Sequence, residues 1–272
     1  MLENLQICVL AIVQGLTEFL PVSSSAHLIL MPKLFGWVDQ GLAFDIAVHV
    51  GTLFAVLLYF RQDLLSLCKH GVGVLIGQPM NTKAKTESKI AWSIVLATIP
   101  VGLCGLAFKG LIETHLRSPL VIAYSTLGFG LLLWVADRLG AKQRTFKRFR
   151  WGDAVAIGLG QALALIPGTS RSGVTLTVGL MLGLTPEFAA RFSFLLSIPV
   201  IVLAAGLEVI NLYKQGGLID WQPLMIGACI AGLSGYACIH YFLKLLNRVG
   251  LFPFVCYRLC LGTALLYCYG NH

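Results

Sequence analysis

Long apolar runs separated by short polar stretches are the main feature of this sequence. The runs lie near residues 2–20, 42–60, 90–108, 118–136, 152–166, 188–210, 222–243 and 251–269. A helix needs about 20 apolar residues to cross the hydrocarbon core of a bilayer. The pattern therefore predicts an all-α polytopic integral membrane protein with about eight hydrophobic segments. It places the whole chain, 1–272, in one membrane domain.

Composition and charge narrow the class of protein. Hydrophobic residues make up 57% of the chain and charged residues 12%, against about 25% charged in a typical soluble domain. This balance excludes a water-soluble globule and a disordered chain. Of the 20 Lys and Arg residues, five lie in the stretch 61–89 and six in the stretch 137–151. By the positive-inside rule both stretches are predicted cytoplasmic loops, and this clustering argues against a nucleic-acid partner.

An internal repeat divides the chain into halves at about 1–136 and 151–272. The first copy reads Gln14-Gly-Leu-Thr-Glu-Phe-Leu-Pro-Val-Ser-Ser-Ser-Ala-His27, and the second reads Gln161-Ala-Leu-Ala-Leu-Ile-Pro-Gly-Thr-Ser-Arg-Ser-Gly173. Each copy starts at Gln in an apolar run, breaks at Pro, passes through hydroxyl residues and resumes as a short apolar piece. Two interrupted helices in corresponding positions of two halves indicate a binding site near the bilayer midplane.

The two breaks are candidate anion sites. A helix that restarts at Ser23–Ser25 has backbone N–H groups without helical partners, and in a membrane these groups need a polar cavity. Helix N-termini bind phosphate through such groups and through the positive end of the helix dipole. The second break, with Ser170 and Ser172, repeats this arrangement and adds Arg171, whose guanidinium grips phosphate oxygens at two points. We therefore predict that both breaks bind phosphate.

Several polar side chains near the breaks are candidates for chemistry. Gln14 and Glu18 are four residues apart and so share a helix face. The Glu18 carboxylate either turns into the cavity or pairs only with Arg171. His27 lies one helical turn after Ser24, a spacing that suits a nucleophile and its base, or an acid for the leaving group.

Four further features complete the set of candidates. His49, inside a predicted span, either lines the cavity or makes an interhelical hydrogen bond, and Asp45 is left undecided. Thr185-Pro186-Glu187 is typical of a helix start. The eight cysteines lie mostly in apolar runs and are expected to be small buried hydrophobic residues.

Three stretches together resemble the bacterial undecaprenyl-diphosphate phosphatase family, also called bacitracin resistance proteins. They are the Gln14–His27 block, the Pro167–Gly173 block and the segment Phe192–Pro199. The resemblance implies a hydrolase of the bacterial inner membrane that converts undecaprenyl diphosphate to undecaprenyl phosphate and inorganic phosphate, which recycles the carrier lipid of peptidoglycan synthesis. It also implies interlocked inverted repeats, with about six full spans and two re-entrant helix pairs, and a pocket that faces the periplasm.

The resemblance also implies roles for individual residues. The catalytic set is Glu18, Ser24, His27 and Arg171, and the phosphate-binding set is Ser23, Ser25, Ser170, Ser172 and Gln14. Whether Ser24 or His27 attacks phosphorus is open. Many family members carry Glu where this chain has Gln14, so a divalent cation, Mg²⁺ or Ca²⁺, would have Glu18 as its only acidic ligand from this helix.

The implied partners are undecaprenyl diphosphate, other polyprenyl diphosphates, membrane lipid and a second copy of the chain. Bacitracin acts by sequestering the substrate. An alternative class is a secondary transporter or flippase of a phosphorylated lipid, because inverted repeats, broken helices and a midplane anion site are shared with transporters. The transporter needs to bind phosphate but not to attack it.

Overall fold

The computed structural model describes residues 3–215 and 220–270, and over these ranges the chain is helical, with no β-strand beyond one isolated bridge. The α-helices are α1 (Asn4–Phe19), α2 (Ser24–Phe35), α3 (Gly41–Tyr59), α4 (Arg61–Leu75), α5 (Thr82–Ala107), α6 (Lys109–His115), α7 (Pro119–Leu139), α8 (Trp151–Ala162), α9 (Arg171–Met181), α10 (Pro186–Gln215), α11 (Trp221–Val249) and α12 (Phe252–Tyr269). A 3₁₀ turn, Leu163–Leu165, follows α8.

Six helices within the described residues are long and apolar enough to cross a membrane. They are α3, α5, α7, α10, α11 and α12. This confirms the predicted all-α polytopic fold with about six full spans.

The remaining apolar helices form two hairpins that enter the protein and turn back. In the first, α1 and α2, the Gln6 side chain donates to the carbonyl oxygen of Val38 at 2.7 Å, so both ends of the hairpin lie together. In the second, α8 and α9, the Arg144 guanidinium donates to the carbonyl oxygen of Leu182 at 2.8 Å. The end of α9 therefore returns to the stretch 137–151, from which α8 begins.

The two hairpins enter from opposite sides. The first hairpin ends where α3 begins, and α3 then leads to α4 and the basic stretch 61–89, whereas the second hairpin starts and ends beside the basic stretch 137–151. The alternation of spans then puts residue 270 on the side opposite both basic stretches. This is the inverted arrangement that the sequence repeat predicts.

The prediction of a loop over 61–89 is wrong for most of that stretch. Residues 61–75 form α4, and α5 begins at Thr82. The two helices pack side by side, and Glu87 accepts hydrogen bonds from Ser66 Oγ at 2.6 Å and His70 Nδ1 at 2.7 Å. A short helix, α6, likewise occupies most of the connection between α5 and α7. Charge content predicts that a stretch lies outside the hydrocarbon core but does not distinguish a loop from a helix.

Each hairpin packs against a span of the other half. Helix α1 lies against α11, and α8 lies against α5. The contacts are close because glycines face the partner helix. A Cβ added to Gly15 would lie 2.6 Å from the carbonyl oxygen of Ala231, and one added to Gly158 would lie 2.7 Å from that of Ala97. The halves are therefore interlocked.

We predict that Gly158→Ala destabilises the protein although alanine is the better helix former. The added methyl group would overlap the α5 backbone, a crowding that costs about 1–3 kcal/mol. Gly152→Ala is the matched control on the same helix, since nothing lies within 4 Å of the added Cβ there. Thermal unfolding in detergent should show a lower midpoint for Gly158→Ala alone. Equal midpoints for the two variants would contradict the close packing of α8 on α5.

Candidate active site

The two breaks meet inside the protein. Ser23 Oγ, from the first break, accepts a hydrogen bond from the backbone N–H of Gly168 in the second at 3.2 Å. Ser172 Oγ donates to the carbonyl oxygen of Leu20 at 2.8 Å. The polar backbone groups that each interrupted helix exposes are thus partly satisfied by the other break, as the interior of a membrane protein requires.

Both breaks have the same local structure. Ser23 and Ser170 are the N-cap residues of α2 and α9, with φ angles of 76° and 70°. Each cap oxygen accepts from the backbone N–H three residues later and lies 3.2 Å from the hydroxyl oxygen of the serine two residues later. A positive φ is uncommon for a residue with a side chain. Its occurrence at equivalent serines indicates that the repeat conserves a specific turn, which directs the next residue, Ser24 or Arg171, into the space between the breaks.

Glu18 joins these two residues. Its Oε1 accepts from Arg171 Nη2 at 3.0 Å, and its Oε2 accepts from Ser24 Oγ at 2.7 Å. The carboxylate is nearly buried, with 8% of its side chain exposed. Gln14 Nε2 donates to Oε2 from one helical turn earlier at 3.1 Å. One carboxylate therefore holds a hydroxyl from the first break beside a guanidinium from the second.

The Arg171 guanidinium is anchored but not saturated. Nη1 donates to the carbonyl oxygen of Ser193 on α10 at 2.8 Å, and Nη2 donates to Glu18. A guanidinium carries five N–H donors, so further donors are available for phosphoryl oxygens. The charge also stands at the N-terminus of α9, where the helix dipole adds to the attraction for an anion.

A cavity of about 270 Å³ opens at this point. Its polar lining comes from α1, the two breaks, α3 and α10, and comprises Thr17, Glu18, Ser23, Ser24, Ser25, Asp45, His49, Ser170, Arg171 and Glu208. A second, mainly apolar cavity of about 720 Å³ lies between α5 and α10. The two cavities share five lining residues, Ser25, Ala164, Val200, Ala204 and Glu208, and are therefore adjacent.

The structure brings most, but not all, of the predicted residues to the cavity. Gln14 is fully buried behind Glu18 and does not line it. Ser172, only 1% exposed, does not line it either and binds Leu20 instead. Both residues hold the site together from outside the cavity, and the expected direct contact with phosphate is not supported for either.

The expected pairing of His27 with Ser24 is not observed. His27 Nδ1 donates to the carbonyl oxygen of Ser23 at 2.7 Å, and Nε2 lies 2.5 Å from the Tyr257 hydroxyl on α12. The two rings are also stacked. Although Ser24 and His27 are one helical turn apart, the imidazole does not contact Ser24. It binds the start of its own helix and α12 instead, because its orientation depends on a partner in a distant segment.

His49 is the histidine that faces the cavity. Its Nδ1 donates to the carbonyl oxygen of Asp45 one turn earlier at 2.7 Å, and its Nε2 lies 3.7 Å from Glu18 Oε2. Of the two interpretations of the sequence, the cavity-lining one is therefore confirmed. Asp45 also lines the cavity and accepts a hydrogen bond from Gln40 at 2.9 Å.

Sequence reasoning missed Arg258, in the middle of α12. Its side chain is fully buried and donates to carbonyl oxygens of both breaks: Pro21 at 3.1 Å, Thr169 at 3.0 Å and Gly168 at 2.9 Å. The signal was present, because a charged residue inside an apolar segment is functional by default.

The side chains described here do not form a ready-made metal site. Over residues 3–215 and 220–270, no group of three or more His, Cys, Asp or Glu residues is arranged to hold a metal ion. Both oxygens of Glu18 already bind protein groups. A divalent cation would need most of its ligands from elsewhere, and the predicted cation requirement stays a prediction.

Comparison with known proteins decides the family. The model of the family described as bacitracin resistance protein BacA matches residues 7–264. The chain belongs to this family. It is 56% identical over 268 residues to undecaprenyl-diphosphatase 2 of Stutzerimonas stutzeri, covering 97% of this chain and 98% of that relative. It is also 56% identical over 267 residues to undecaprenyl-diphosphatase of Nitrosococcus oceani, covering 98% and 99%. These matches favour a phosphatase over the alternative of a transporter.

We predict that diethylpyrocarbonate modifies His49 faster than His27, because 31% of the His49 side chain is exposed and His27 is only 9% exposed. Pyrophosphate in the cavity should slow the modification of His49 several-fold and leave that of His240, an exposed residue of α11, unchanged. Peptide mass spectrometry measures each rate. Protection of His27 with no protection of His49 would contradict this placement of the two rings.

Proposed function

We propose that this protein is a polyprenyl-diphosphate phosphatase that hydrolyses undecaprenyl diphosphate to undecaprenyl phosphate and inorganic phosphate. One observation carries the proposal: Glu18 holds the Ser24 hydroxyl and the Arg171 guanidinium between two helix N-termini. A hydroxyl bonded to a carboxylate suits attack, and a guanidinium suits an anionic phosphoryl group. The names of the relatives supply the substrate.

The diphosphate headgroup would lie in the polar cavity. The first backbone N–H groups of α2 and α9 have no partners within their helices and can donate to its oxygens. Arg171 would neutralise the charge on the terminal phosphoryl group as the transition state forms. The serines that line the cavity, Ser23, Ser25 and Ser170, add hydroxyl groups around it.

Ser24 is the proposed nucleophile. Its Oγ would form a bond to the terminal phosphorus while the bond from phosphorus to the bridging oxygen breaks, and undecaprenyl phosphate leaves with the bridging oxygen. Glu18 Oε2, 2.7 Å from Oγ, is placed to take the hydroxyl proton. Water would then hydrolyse the phosphoserine and release inorganic phosphate. His27 is disfavoured as nucleophile because Nε2 already contacts Tyr257.

The polyprenyl tail would start in the adjacent apolar cavity. A volume of about 720 Å³ falls within the range of about 300–1,000 Å³ found for sites of drug-sized ligands. It suits the first isoprene units, and the remainder of a long chain would extend into lipid. This arrangement supports hydrolysis of shorter polyprenyl diphosphates as well.

The proposal also covers the side of the membrane on which the active site lies and the partners of the protein. The cavity is lined by the first half of α3 and the second half of α10, on the side away from the basic stretches. In the inner membrane this side is the periplasm, by the positive-inside rule. Bacitracin would act by binding the substrate. Association with a second copy of the chain stays a prediction from the resemblance.

A phosphate-release assay on purified protein in detergent, with undecaprenyl and farnesyl diphosphate, tests the function. We expect release by the native chain, near-complete loss in Ser24→Ala, and native rates in Ser66→Ala, whose hydroxyl binds Glu87 far from the cavity. Phosphate from labelled substrate should be trapped on Ser24. No release by the native chain with any divalent cation would favour the transporter, and label on His27 would make that residue the nucleophile.

A divalent cation, Mg²⁺ or Ca²⁺, is proposed to enter with the substrate, with Glu18 as its one acidic ligand from α1. We expect a chelator to abolish phosphate release and added Mg²⁺ or Ca²⁺ to restore it. The melting temperature without substrate should change little on chelation, since the described residues offer no metal cluster. Full activity in excess chelator would remove the cation from the proposal.

A further inference from the structure

Arg258 lies in the protein interior, and no acidic residue in the described part of the chain forms an ion pair with it. Its side chain has 0% exposure in the middle of α12. Among the ion pairs between described residues, none includes Arg258. A charge at this depth is costly unless its donors are satisfied, and such residues are retained for a purpose.

Each hydrogen bond that Arg258 makes within the described residues goes to a backbone carbonyl oxygen. Nη1 binds Pro21 of the first break and Thr169 of the second, Nη2 binds Gly168, and Nε binds Thr126 on α7 at 3.2 Å. The carbonyls at Pro21, Gly168 and Thr169 follow the ends of the incoming helices, where helical partners run out and the dipole is negative. A guanidinium is therefore favourable at this position.

The geometry splits each break into two faces. The residues that open α2 and α9, Ser24 and Arg171, line the cavity. The carbonyl groups that precede these helices bind Arg258. Since one rigid, planar group contacts carbonyls from both breaks, it restricts how far the two helix N-termini can move relative to each other.

We propose that Arg258 is a positioning residue for the reaction: it sets the spacing between Ser24 and Arg171 by binding the carbonyls of both breaks. This rests on the proposed function for its kinetic readout. Lysine would keep the charge but has one nitrogen with three donors, so it cannot reproduce the planar contacts.

The surroundings of Arg258 leave little freedom. A Cβ added to Gly130 on α7 would lie 3.1 Å from Arg258 Cβ and 3.4 Å from Nε, and one added to Gly173 would lie 3.1 Å from Nη1. Gly130 is outside the cavity lining. Substitution at Gly130 can therefore displace Arg258 without altering its charge or touching the site.

A double-mutant cycle tests the proposal with Arg258→Lys, Arg171→Lys and both together. The readouts are kcat/KM for phosphate release and the Kd of pyrophosphate from ligand-induced thermal shifts. We expect each single variant to lower kcat/KM and to raise the Kd by at least about tenfold. The double variant should change both quantities little more than either single variant does, because the effects of residues that act through each other are not additive.

Arg144→Lys is the matched control. Arg144 also donates to backbone carbonyl oxygens, those of Leu182 just after α9 and of Arg148 before α8, and it pairs with Asp153 of α8, away from the breaks. It should lower the melting temperature and leave kcat/KM and Kd unchanged. If Arg258 had only a structural role, Arg258→Lys would behave like this control, or its effect on kcat/KM and Kd would multiply with that of Arg171→Lys in the double variant. Either result overturns the proposal.

A milder pair of variants covers the case in which Arg258→Lys fails to fold. Gly130→Ala should lower kcat/KM and weaken pyrophosphate binding several-fold, whereas Gly128→Ala, with nothing within 4 Å of its added Cβ, should do neither. Equal kcat/KM and equal Kd for Gly130→Ala and Gly128→Ala would overturn the proposal. If the native chain binds pyrophosphate but releases no phosphate, the proposed function fails, and the Kd measurements still decide on Arg258.

Discussion

The site depends on the need to satisfy backbone groups where two helices are interrupted inside a membrane protein. Every unpaired N–H or C=O in that interior costs free energy, and water is not there to compensate. The two breaks satisfy these groups jointly. Ser23 Oγ accepts a hydrogen bond from the Gly168 N–H, and Ser172 Oγ donates one to the Leu20 carbonyl oxygen. Arg258 donates to carbonyl oxygens of both breaks. The residues that open the two helices, Ser24 and Arg171, line the cavity, and the positive ends of both helix dipoles make it attractive to an anion.

The repeat supplies the same turn twice and the chemistry arises where the copies differ. The caps Ser23 and Ser170 have nearly equal φ angles, and each accepts a hydrogen bond from the backbone N–H three residues later. The next residue is a hydroxyl in one copy and a guanidinium in the other. Glu18, present in the first copy only, binds both. An inverted repeat thus places two unlike groups on either side of one carboxylate, an arrangement that a single break would not produce.

The adjacent cavities fit an amphipathic substrate. The polar cavity carries the cationic and N–H groups needed by a diphosphate, and the larger one between α5 and α10 is mainly apolar. A site inside the membrane lets the tail stay in an apolar medium while the headgroup exchanges water for fixed donors. The interlocked packing of α1 on α11 and of α8 on α5 keeps both hairpins, and so both halves of the site, in a single rigid framework.

Local signals in the sequence were sufficient for the membrane class, the apolar segments, the two breaks and the residues Glu18, Ser24 and Arg171, whereas the number of full spans came from the family resemblance. Apolar run length, proline and serine positions and basic clusters depend on neighbours along the chain, so a sequence reports them directly. The direction of His27 towards Tyr257, the exclusion of Gln14 and Ser172 from the cavity, and the contacts of Arg258 were decided by the tertiary structure. Each depends on a partner more than 100 residues away or on packing between helices, which the pattern along one chain does not encode.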